Sequence, residues 1–220
     1  QGREAASRQL DITWTHWFNP RMNYKTFMVP GILAMLITMV GSFLSSMNVV
    51  REKEIGTIEQ LNVTPIYKYQ FIIGKLFPYW LLGLVELGLG LALGRLLYQI
   101  PIEGSLPLLF LFASVYLLVV LGIGLLISSS SDTQQQAMFI VWFFIVLFIF
   151  LSGMFTAVEN MPDWAQKITY LNPLRYFIEA VRMILLKGST FADLSQHFWI
   201  LLGYAAAINT LAVWRYRKRA

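Results

Sequence analysis

Cysteine is absent from this 220-residue chain, which excludes disulfides and thiolate metal sites and leaves the redox compartment open. Charge is scarce: Asp, Glu, Lys and Arg make up only 13% of the residues, against about 25% in an ordinary soluble domain. The two histidines, His16 and His197, stand too far apart for an HExxH zinc site. No GxxxxGK[ST] phosphate loop occurs, because Gly74-Lys75 lacks both the upstream glycine and the following hydroxyl residue. There is no GxSxG elbow, and Gly122-Ile123-Gly124-Leu125 offers no aspartate for an intramembrane protease. Paired membrane charges of the kind a proton-coupled carrier uses are missing too. These absences leave no catalytic residue, no metal ligand set and no cofactor bound by the chain itself.

Apolar residues are abundant, at 57% of the chain. One water-soluble core of this size cannot enclose so much apolar surface. A helix needs roughly 20 apolar residues to cross a bilayer, and the uncharged intervals supply them. Lys25 and Arg51 enclose 25 uncharged residues, Glu103 and Asp132 enclose 28, Asp132 and Glu159 enclose 26, and Asp193 and Arg215 enclose 21. Between Lys75 and Arg95 the only charge is Glu86. The runs are too long, and alternate too little, for barrel strands. The expectation is an all-α membrane protein with five transmembrane helices at about 27–47, 76–97, 106–128, 137–156 and 195–214.

The formal net charge of +5 sits mostly beside apolar runs, which points to membrane lipid and topology rather than nucleic acid. Four cations, Arg215, Arg217, Lys218 and Arg219, abut the last interval and favour a cytoplasmic C-terminus. An odd number of spans then puts residues 1–25 outside, as the tail of an upstream region, with the membrane domain over 26–220.

Two stretches outside the spans carry information. Residues 48–64 hold five charges within nine positions, Arg51 to Glu59, while Ile55, Ile58 and Leu61 recur at helical spacing. The pattern predicts a short amphipathic helix, followed by Thr64-Pro65 opening the next one. Such a helix suits either a soluble partner or a bed of lipid headgroups. Between Glu159 and Asp193, Met161-Pro162-Asp163-Trp164 reads as a turn into a short helix. Asn172-Pro173 opens a second helix that ends at Gly188. Its Arg175, Glu179 and Arg182 share a face, and the two helices form an interfacial or re-entrant hairpin that either parks on headgroups or lines an exit.

Glu86 falls mid-span, where a charge costs at least about 2.5 kcal/mol. It either lines a path or subunit interface, or is a neutral carboxyl satisfied by a neighbouring helix. Gly90 and Gly94 form a small-xxx-small pair beside it. Ser128 to Gln136 makes a hydrophilic turn, in which Asp132 is the expected cap of the following helix.

The sequence Arg-Glu-Lys-Glu-Ile-Gly-Thr-Ile-Glu-Gln-Leu-Asn-Val-Thr-Pro-Ile, from Arg51 to Ile66, closely resembles the coupling-helix motif of the type 2 ABC transporter permeases. Thr133-Gln134-Gln135-Gln136-Ala137-Met138 is similar to that family's turn between its fourth and fifth spans. Leu151-Ser152-Gly153-Met154-Phe155, Asn172-Pro173-Leu174-Arg175-Tyr176 and Leu186-Lys187-Gly188 resemble its outer hairpin. Thr156-Ala157 departs from the family, which usually has a proline there. The resemblance implies a permease subunit in the bacterial cytoplasmic membrane, lacking the family's first span and most of its external domain. It would work with a second copy, identical or not, and with an ABC ATPase subunit that uses ATP and Mg. Arg51, Glu52, Lys53, Glu54, Gly56, Thr57 and Glu59 would then contact the ATPase. The alternative is a scaffold or sensor that recruits a cytosolic partner through the 48–64 helix.

Overall fold

The computed structural model describes residues 24–56 and 68–215, with seven α-helices and one 3₁₀ turn and no strand among them. Helix α1 (Tyr24–Ile55) runs straight through the boundary expected near residue 48. The separate helix expected at 48–64 is therefore corrected over its first part: residues 48–55 continue the span. Nothing in Asn48-Val49-Val50 breaks a helix, and Val49 and Val50 are buried. The first breaker is Gly56, at φ 79°, a left-handed conformation that glycine adopts freely. Thr57, Glu59 and the Thr64-Pro65 start signal lie outside the described residues.

Helix α2 (Lys68–Tyr98) carries Pro78 internally. It stops at Gln99, where the left-handed φ of 52° lets the Gln99 and Ile100 amides close back on the Arg95 and Gly94 carbonyls. Helix α3 (Leu106–Ser130) is the central element, flanked along its length by α1 and by α7 (Phe191–Arg215). Small residues let the α1 and α3 backbones approach: a Cβ on Gly124 would meet the Ser42 carbonyl at 2.8 Å, and Ser45 Oγ donates to the Leu121 carbonyl at 2.8 Å. The Gly90–Gly94 pair does similar service, with Gly90 against Leu33 of α1 and Gly94 against Val29 and Ile100.

Helix α4 (Gln134–Phe150) is only 17 residues long, about 25 Å at 1.5 Å per residue. The expected span at 137–156 is corrected at its far end. Residues 151–157 form turns, with Gly153 at φ 76°. The helix also starts on a different cap from the one expected. Thr133, not Asp132, accepts the Gln136 amide, while Gln136 reaches back to the Asp132 N–H, an arrangement close to a capping box.

A 3₁₀ turn (Val158–Asn160) leads to α5 (Asp163–Thr169) and α6 (Pro173–Lys187). Asn172 caps α6 by accepting the Leu174 amide, and Gly188 ends it at φ 64°. The α5–α6 hairpin folds back alongside α7. Its tip carbonyl, Tyr170, accepts a hydrogen bond from Tyr204 Oη at 2.9 Å. Tyr204 lies 13 residues along α7, about 20 Å below its start. Phe177 stacks on Tyr116 of α3 with centroids 4.1 Å apart, and the Tyr116 hydroxyl bonds Thr38 of α1 at 2.6 Å. The apolar face of α6 is thus packed into the α1–α3 core.

Four of the described helices, α1, α2, α3 and α7, are long and apolar enough to cross a membrane. Only 17% of the apolar window of α2, and of α7, is buried against the rest of the chain. Their outer faces need a hydrocarbon solvent or a partner.

Candidate functional site

At one end of the bundle, the last turn of α1 meets the turn joining α3 to α4. Lys53 Nζ donates to the Ser128 carbonyl and, at 3.1 Å, to the Ser131 carbonyl. α3 ends there, and apart from the Ser131 amide that closes on the Ser128 carbonyl at 3.4 Å no further helical turn follows to bond them. The serine hydroxyls fold back onto their own helix, Ser128 to Leu125 and Ser131 to Ile127. A cation at a helix C-terminus also meets the negative end of the helix dipole.

One residue on, Glu54 takes the opposite role. Its Oε1 accepts the Gln134 backbone N–H at 2.8 Å, and its Oε2 accepts from the Gln134 side chain. A carboxylate at the first turn of α4 neutralises amides that the helix cannot satisfy itself. Glu52 points to the third neighbour and pairs with Lys75 of α2. Three successive side chains therefore tie α1 to α2, to the end of α3 and to the start of α4. Arg51 is exposed beside them, and Gly56 has open space around it.

The sequence pattern left these charges to a soluble partner or to lipid headgroups, and the family resemblance implied contacts with the ATPase. Among the described residues, the structure uses Glu52, Lys53 and Glu54 within the chain. Lys75, Ser128, Ser131 and Gln134 were not foreseen as members of this site. The separation of Ser128, Ser131 and Gln134 from their α1 partners, 75–80 residues, leaves no local signal for the two hydrogen-bonded ties. The one hint was the serine run, read as a mere connection.

At the opposite end, Arg175, Glu179 and Arg182 do share the polar side of α6, but each goes to a different partner. Arg182 is 8% exposed. Its guanidinium lies over the Phe27 ring at 3.8 Å and donates to the Gly153 and Met154 carbonyls at 3.3 and 3.4 Å. Burial lowers its pKa to about 10, so it stays charged at neutral pH. Gly31 of α1 leaves room for Met154, which a Cβ would meet at 2.9 Å. Arg182 thus joins α6, the α4–α5 turn and the start of α1.

Glu179 meets His197 of α7 at 3.3 Å, and that hydrogen bond holds its carboxyl below the usual range against the effect of burial. Arg175 donates to Thr169 and lies over the Tyr170 ring at 4.8 Å. Phe27, His197 and Tyr204 complete this cluster and carried no signal in the sequence beyond their residue type. Between the two ends, Glu86 is half-exposed, and its Oε2 is buried with no hydrogen-bond partner.

Residues 2–214 match the family described as "ABC-2 family transporter protein". The chain is 39% identical over 209 residues to "Probable multidrug ABC transporter permease YbhR" of Escherichia coli K12, covering 95% of this chain and 57% of that protein. It is 34% identical over 181 residues to "Probable multidrug ABC transporter permease YbhS" of the same organism, covering 82% and 48%. "Inner membrane transport permease YhhJ", also from Escherichia coli K12, is 31% identical over 204 residues, with 91% and 54% covered. The chain spans about half the length of these relatives.

Proposed function

The chain belongs to the ABC-2 family of transporter proteins, and from that premise we propose that it is the membrane-spanning permease part of an ATP-driven exporter in a bacterial cytoplasmic membrane. ATP and Mg are used by a separate ABC ATPase subunit, and a second permease copy completes the passage. The end carrying Arg51, Gly56 and Arg215 faces the cytoplasm, in keeping with the basic C-terminal run.

The observation that carries this reading is the three-way tie at the end of α1. Coupling needs a small displacement outside the membrane to move several spans together. Gly56, at φ 79°, is where α1 ends. A push delivered through Gly56, Thr57 and Glu59 reaches α1 directly. It reaches α2 through Glu52–Lys75, and the α3–α4 turn through Lys53 and Glu54. Helices are stiff enough to pass that motion on as rigid bodies. At the far end the α5–α6 hairpin, seated by Arg182 and Glu179, is the element such a movement would reach last.

The test is reconstitution of the full-length permease with its ATPase in proteoliposomes, following ATP-dependent movement of a lipophilic dye. Gly56→Val, which forces a β-branched residue into left-handed backbone, and Glu59→Lys should each leave ATP hydrolysis running while transport falls at least tenfold. Transport at the original rate in both variants would overturn the coupling role.

A further inference from the structure

Glu86 is the one carboxylate within the central part of a described span, about 20 Å from either end of the Ile72–Tyr98 segment. About one turn away on either side, α2 is pressed against its neighbours. A Cβ on Gly83 would overlap Leu117 of α3, and one on Gly90 would overlap Leu33 of α1. Glu86 therefore emerges between two tight helix contacts. Its Oε2 is enclosed there with no hydrogen-bond partner, while the residue as a whole stays half-exposed. Leu82, Val85, Leu89 and Leu93 around it are exposed apolar side chains on the outer side of α2. No hydrogen-bond partner for that oxygen is present among the described residues.

A carboxyl in this position, with no partner among the described residues, suits a ligand that brings positive charge into hydrocarbon. Inorganic cations are poor candidates: they need several oxygens, and the described residues hold no group of three or more potential metal ligands. A hydrophilic organic cation does not partition to this depth. We propose that Glu86 forms a binding site for lipophilic organic cations that reach α2 laterally from the bilayer. The cationic centre pairs with the carboxylate, and the apolar body lies on Leu82, Val85, Leu89 and Leu93. This names a substrate class for the transport reading and rests on it for its physiological meaning.

The test uses the full-length permease, first alone in detergent and then in the reconstituted complex. Tetraphenylphosphonium is the probe, with binding read by equilibrium dialysis. Carbodiimide modification of Glu86 is read in parallel by mass spectrometry. Binding is expected, weakened at least tenfold by the isosteric E86Q and less by E86D, and bound probe should protect Glu86 from the carbodiimide. Equal binding by wild type and E86Q, or labelling unaffected by the probe, overturns the proposal. In the complex, E86Q should lose transport of the cation and E86D should keep part of it. ATP-dependent dye transport without cation binding would sink the site alone; cation binding without any ATP-dependent transport would sink the exporter reading alone.

Discussion

Lys53 and Arg182 are both cations held by backbone carbonyls of a turn, at opposite ends of the same bundle. Lys53 is part-buried, has an acid on each side in sequence, and bonds carbonyls at the open end of a helix. Arg182 is enclosed, lies on an aromatic ring, and reaches its two carbonyls only at 3.3 and 3.4 Å, with its Nε unbonded. Water can replace what Lys53 does, but it cannot easily enter the Arg182 site. The first contact can therefore break and remake as a working joint. The second is a structural pin whose loss leaves buried carbonyls without a donor.

That contrast predicts unequal costs. Arg182→Leu should destabilise the protein most, by about 3 kcal/mol, the order expected when a buried charge or its partners are orphaned; denaturant titration in mixed micelles measures it. Arg182→Lys should recover part of that loss, and full stability in the leucine variant would abolish the distinction between the two ends. Gly104→Ala comes next. Its Cβ would overlap the Ile184 carbonyl at the C-terminal part of α6, so overpacking of about 2 kcal/mol is expected in the same assay.

Lys53→Met should cost only about 1 kcal/mol in stability, yet lower transport per ATP hydrolysed several-fold. Combining it with Glu54→Gln should add little further uncoupling, because both act on one turn. Strict additivity of the two would mean that they are not parts of one joint. The smallest effect concerns Glu179. Its carboxyl is held below the ordinary 4.5 by the His197 hydrogen bond. The contribution is then complete above that ordinary value and lost as pH falls through the lower folded one. Hydrogen exchange over α6 should rise in that acid window, and Glu179→Gln should remove the rise.

Much of the helical layout follows from features within a few residues of one another. Asn172-Pro173 and Gly188 bound α6 because N-caps and left-handed C-termini are satisfied locally. The same locality explains the misreadings. Asp132 was a plausible cap, but Thr133 followed three residues later by Gln136 satisfies more amides. The charged stretch after residue 48 looked like a new helix because its polarity changes. Polarity does not end a helix, and α1 continues until Gly56. α4 looked longer because residues 151–157 are mostly apolar, yet the Gly153 and Met154 carbonyls are taken by Arg182.

The sequence by itself determined that this is an all-helical membrane protein, because long uncharged runs are stable only where hydrocarbon replaces water. Only the tertiary structure decided what each charge is for. It turned Glu52, Lys53 and Glu54 inward to three neighbours, left Arg51 in the open, buried Arg182 beneath Phe27, and gave Glu86 no partner among the described residues. The reason is range: hydropathy and capping act within a turn or two of helix. A charge meets its partner only once helix packing brings together residues as far as 80 positions apart.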